Sequence, residues 1–80
     1  MVNSKLLKEL IDKSGLKLGF IAEKLGVSYH WLNKKMSGEV PFKDYEIQML
    51  CNLLNVKSAD DKERIFFARD VEESSTKEKQ

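Results

Sequence analysis

Tyr29, His30, Asn33 and Lys34 are separated by steps of one, three and four residues, the spacing that puts side chains on one face of a helix. Together they offer a phenol, an imidazole, a carboxamide and an ammonium group, a set suited to donating and accepting hydrogen bonds. Leu32 and Met36 point the other way. Nothing in this set implies catalysis. His30 is the only histidine and has no second ligand spaced to help it hold a metal. The sequence also has no His/Asp/Ser or paired-carboxylate arrangement and no phosphate-binding glycine loop. No enzyme activity, cofactor or metal is therefore expected. The plainer readings are a solvent-facing His30 and an ordinary charged surface at Lys34 and Lys35.

The elements around these residues explain how they would be held. Ile21, Ala22 and Leu25 form a helical stripe, and Gly26 ends that helix because a tight C-terminal cap wants a residue that tolerates positive φ. Val27 serves as a buried hinge, and Ser28 can start a new helix by accepting a backbone N–H bond. Small Ala22 permits a close helix crossing, and Leu32 closes the seam. The pattern predicts helices over about Lys17–Leu25 and Tyr29–Ser37, joined as a helix-turn-helix, whose usual work is reading the major groove of DNA. A first helix is predicted over about Ser4–Ser14, capped by Asn3 or Ser4, with Leu6, Leu7, Leu10 and Ile11 on its apolar face. Pro41 blocks helix continuation after Gly38. A fourth helix over about Lys43–Leu54 carries the stripe Ile47, Leu50, Cys51 and Leu54, with Phe42 ahead of it packing back on the core. Ser58 with Asp61 resembles a capping box and opens a fifth helix to about Ala68.

Eighty residues with 41% hydrophobic content allow one small core. No apolar run approaches the roughly 20 residues a membrane-spanning helix needs. Charges interrupt every apolar pair in the first fifteen residues, so a secretory leader is not expected and a cytoplasmic location is. A lone cysteine, Cys51, cannot form an internal disulfide and is expected to be a buried, inert thiol. Net charge is only +1, but its distribution is uneven. Residues 1–38 hold seven lysines against three acids, whereas residues 58–80 hold five basic and seven acidic groups. Phosphate attraction depends on such local patches. Residues 1–69 read as one domain. Residues 70–80, nearly devoid of apolar side chains, read as a flexible tail that cannot offset its own ordering entropy.

Laid out this way, the chain resembles the lambda-repressor-like family, the Cro- and repressor-type proteins common in phages and prophages. The matching residues are Ile21, Ala22, Leu25, Gly26, Val27, Ser28, Leu32 and Gly38, followed by Phe42, Ile47, Leu50 and Leu54. The resemblance covers about Leu6 to Val56, and the segment RIFFA also looks like small prophage regulators of that group. It implies an all-α, five-helix DNA-binding domain that acts on operator DNA as a homodimeric transcriptional regulator. It places Tyr29, His30, Asn33 and Lys34 at base edges, and Lys17, Ser28, Lys35 and Lys43 at phosphates. Trp31 is expected to pack against the fourth helix or the preceding loop, with a groove contact as the alternative.

Two positions depart from the family pattern. Leu18 stands where members usually carry Gln. Lys35 precedes Met36 where members show a bulky residue followed by Glu, so the core contact is expected to move to Met36 and leave Lys35 free. Ile65, Phe66 and Phe67 are three consecutive large apolar residues that one helix can hide only in part. They form the expected dimer seam, unless all three cap the core beneath the first and fourth helices, or pair as an extended arm. Two other functions compete with operator binding. One is a protein-interaction module on the same scaffold, favoured by Leu18 and the low net charge. The other is an antitoxin whose tail folds on a toxin.

Overall fold

The computed structural model describes residues 1–67, which form five α-helices and, among the described residues, no strand. In chain order these are α1 (Ser4–Ser14), α2 (Leu18–Leu25), α3 (Tyr29–Met36), α4 (Asp44–Leu54) and α5 (Ala59–Phe66). Each end has a local chemical cause. Asn3 accepts the Leu6 N–H at 3.1 Å to open α1, and Ser28 and Ser58 do the same for Trp31 and Asp61. Gly26, at φ 76°, ends α2, and the Val27 N–H reaches back to the Ala22 carbonyl at 3.0 Å. This six-to-one bond is the Schellman closure, and it requires the left-handed residue that glycine supplies. α4 ends in the same way with Asn55 at φ 61°.

Lys17 and Lys43 lie one residue outside the helices they were expected to begin, as N-caps without a side-chain cap bond. A lysine has no acceptor to offer there. At α4 the Glu46 carboxylate folds back instead to accept the Lys43 N–H at 2.8 Å. The fifth helix stops at Phe66, with Phe67 as its C-cap. Ala68, the boundary expected after residue 69 and the tail of residues 70–80 lie outside the described residues.

Twelve buried side chains make the core: Leu7 and Ile11 of α1, Ile21, Ala22 and Leu25 of α2, Leu32 and Met36 of α3, Ile47, Leu50 and Cys51 of α4, and Ile65 and Phe66 of α5. α1 packs against α3, α4 and α5, while α2 packs against α3 and α4. The N-terminus ties the ends together. Asn3 N–H donates to the Ile65 carbonyl at 2.6 Å, and the Ser4 hydroxyl donates to the carbonyl of Met36 at the end of α3. Phe42 packs edge-on against Phe66, ring centres 5.6 Å apart. Ile65 and Phe66 are thus core residues in helical conformation, which removes both the strand-like arm and two thirds of the expected dimer seam. Only Phe67 of that trio is exposed, at 47%. No described helix is long and apolar enough to cross a membrane.

Candidate nucleic-acid interface

α3 is eight residues long, and its periodicity divides it cleanly. Leu32, Lys35 and Met36 are buried against the body of the molecule. Tyr29, His30 and Asn33 are exposed and Lys34 is half-buried. The tight Gly26–Val27–Ser28 connection sets the direction in which α3 leaves α2, because its φ values and the Ser28 cap leave little freedom. Like α1, neither α2 nor α3 has an acidic residue in its first turn, whereas α4 and α5 carry two each. The partial positive ends of α2 and α3 are therefore unopposed within their own helices.

The residues expected to touch bases do not form one uniform patch. The Asn33 carboxamide donates to its own helix at the Tyr29 carbonyl, 3.1 Å away, and Asn33 borders a shallow groove of about 190 Å³ shared with Ser4 and Lys8 of α1. Tyr29 stands 57% exposed. On the other flank Trp31 is also partly exposed, at 42%. Its nearest cation is Lys35 Nζ, 6.0 Å from the ring centre.

Among the phosphate candidates, Lys17 and Lys43 are exposed at the starts of α2 and α4. Ser28 is exposed, with its hydroxyl oxygen engaged by the Trp31 N–H. Lys35 is placed otherwise than expected. Its side chain is only 2% exposed, and its Nζ lies 2.9 Å from Glu46 Oε1, itself 1% exposed. The same ammonium donates to the Pro41 carbonyl at 3.3 Å. The expectation of a free Lys35 failed because residue 35 follows Leu32 by three positions. That register faces inward whatever the side chain carries. A buried ammonium then requires a buried carboxylate, and Glu46 supplies it.

Glu46 escaped the sequence reading. A signal for it exists: a Glu three residues after a helix N-cap can fold back on the cap, and the residue before core Ile47 on α4 can point inward. Phe20 was missed too. It stands exposed on α2 with Lys24 Nζ 5.5 Å from its ring centre. Met1, Val2, Val40, Phe42, Phe66 and Phe67 contribute, with Lys35 of α3, to a groove of about 200 Å³. Cys51 is buried in the core, and burial pushes its thiol above the ordinary range, partly opposed by the Lys62 charge. Among the described residues no three His, Cys, Asp or Glu side chains gather as metal ligands. No family model, curated protein or solved structure matches the chain.

Proposed function

We propose that α2, the Gly26 turn and α3 act as a helix-turn-helix, and that the protein is a sequence-specific double-stranded DNA-binding regulator of transcription in the manner of the repressor-type family it resembles. The observation that carries the reading is the two-sidedness of α3. Its inner flank is anchored by Leu32, Lys35 and Met36, while Tyr29, His30 and Asn33 are exposed on the opposite face. A short, rigid, amphipathic helix with an uncovered hydrogen-bonding face fits the width of the major groove. The unopposed N-termini of α2 and α3 suit phosphates, with Lys17 exposed at the N-cap of α2 and Lys43 exposed at the N-cap of α4 as further cations.

In this reading His30 and Lys34 are the central base readers. His30 can donate to guanine or phosphate, and Lys34 to guanine O6 and N7. Tyr29 meets a thymine methyl or a phosphate, and Asn33 addresses adenine once its intrahelical bond is released. A single such helix reads few base pairs, so two copies on half-sites about 34 Å apart are expected. Phe67 and its groove are the apolar surface available for that pairing.

One observation favours a second reading. Phe20, Tyr29 and Trp31 are large exposed aromatics on α2 and α3, as a protein-binding surface would present. Selection of bound duplexes from a random pool, followed by a gel shift across salt concentrations, separates the two. A two-fold symmetric motif with binding that falls steeply as salt rises supports the DNA reader. Absence of binding to any duplex at low salt refutes it.

A further inference from the structure

Lys35 sits between Leu32 and Met36 on the inner side of α3, a place that packing alone would fill with an apolar residue. A buried ion pair is a weak source of stability, because apolar side chains of similar volume usually hold a core equally well or better. What the pair adds is direction. Lys35 Nζ reaches Glu46 Oε1 at 2.9 Å and the Pro41 carbonyl at 3.3 Å, and the same Oε1 accepts the Lys43 N–H at 2.8 Å. The last turn of α3, the connection through residues 37–43 and the first turn of α4 therefore converge on one carboxylate oxygen. The principal helix contacts of α3 are with α2 and α1. Leu32 and Met36 are apolar and tolerate some rolling of the helix, whereas a charge-assisted hydrogen bond does not.

Building on the DNA-binding reading, we propose that the Lys35–Glu46 pair is a positioning device: it fixes the rotation of α3 about its own axis, and so the angle at which His30 and Lys34 meet the base edges. Side-chain tips lie about 6 Å from a helix axis, so a roll of about 10° displaces them by about 1 Å. Recognition groups must be held within roughly 0.5 Å and 10–20° to act. Lys35 touches no base and no phosphate in this scheme. It determines specificity through other residues, and its ammonium lies 6.0 Å from the centre of the Trp31 ring.

The test uses the full chain with Lys35→Met and Glu46→Gln combined. This variant removes both charges, fills the lysine stem and keeps an oxygen for the Lys43 N–H. Two quantities are read: amide hydrogen exchange along α3 relative to α1, and the affinity ratio between the selected duplex and random duplex. The expected result is a near-native thermal midpoint and unchanged α1 protection. Protection in α3 and the specificity ratio each fall about tenfold, the size of one lost base contact, with the salt slope unchanged. Lys35→Arg, which keeps charge and donor, retains both quantities.

A merely structural role lowers the midpoint and the protection of all helices together. That outcome, or native α3 protection in the double variant, overturns the proposal. Should the double variant fail to fold, loss of α3 protection and specificity in Lys35→Arg, despite a native midpoint, overturns it instead. A native chain that discriminates no duplex defeats the DNA reading, and the exchange measurement still decides whether the pair locks α3.

Discussion

Lys43→Ala offers a count of phosphates and subunits in one experiment. Lys43 is exposed at the N-cap of α4, and Lys17 stands in the equivalent place before α2. Each phosphate neutralised on duplex DNA steepens the logarithmic dependence of affinity on salt by about 0.9. If Lys17 and Lys43 are the phosphate-bound cations of each subunit, a dimer has a slope near −3.6 from these residues and loses about 10²-fold in affinity between about 50 and 200 mM salt. Lys43→Ala removes one contact per subunit, so the slope should become shallower by about 1.8 for a dimer and about 0.9 for a monomer. Preference between duplex sequences should stay as it was, because a phosphate carries no base identity. The assay is fluorescence anisotropy with selected and random duplexes at several salt concentrations. The combined Lys35→Met, Glu46→Gln variant serves as the internal control, since a buried, paired ammonium has no counterion to release, and its slope should match the native one. Affinity lost in Lys43→Ala without any change of slope would refute the assignment.

Three further outcomes follow from the geometry. Glu46→Ala strands the buried Lys35 ammonium and leaves the Lys43 N–H without its acceptor, and should cost about 3–5 kcal/mol by urea unfolding at neutral pH. That is much of the roughly 4–10 kcal/mol available to 67 ordered residues, and a loss below about 1 kcal/mol would mean the pair is solvated. Gly26→Ala meets no atom within 4 Å but must hold φ near 76°, so it should cost about 1–2 kcal/mol. Gly19→Ala, equally open but helical, should instead stabilise by about 0.5–1 kcal/mol, and equal effects at the two sites would contradict the turn assigned to Gly26. Burial raises the Cys51 thiol in the folded state, so its contribution is present below the ordinary value of 9.0 and lost as pH rises through the shifted one. Stability should therefore decline above about pH 9 more steeply in the native chain than in Cys51→Ala, and identical pH profiles would show that the thiol does not titrate there.

The helices were legible because each carried its own punctuation. Asn3, Gly15, Gly26, Ser28 and Ser58 cap or stop helices by chemistry intrinsic to their side chains or to glycine. The ends at Lys17 and Lys43 were displaced by one residue because no side-chain acceptor marks them. At Phe66 the apolar run gave a face but not a limit. Three consecutive apolar residues cannot share one side of a helix, and the packing of the other elements, Phe42 among them, covers Phe66 and leaves Phe67 exposed. Lys35 was illegible for a different reason. Charge and register disagreed there, and the partner that resolves the conflict is eleven residues away across a proline-containing loop.

Withdrawing Lys35 from the surface changes the energetic balance that the proposed function must satisfy. With Lys35 counted, the α3 end of the molecule would present two adjacent cations to phosphate. Without it, Lys34 is the one cation α3 itself presents, and Lys17 and Lys43 are exposed at the N-caps of α2 and α4. Sequence-independent attraction to DNA scales with the number of phosphates neutralised, so it must be modest here. Base contacts, by comparison, contribute about 1–3 kcal/mol each irrespective of net charge. A reader built this way should bind random duplex weakly at physiological salt and yet discriminate strongly once His30, Lys34 and their neighbours find their bases. Discrimination of that kind depends on how rigidly a short helix is aimed, which is the property a buried, directional Lys35–Glu46 contact confers and a greasy one does not.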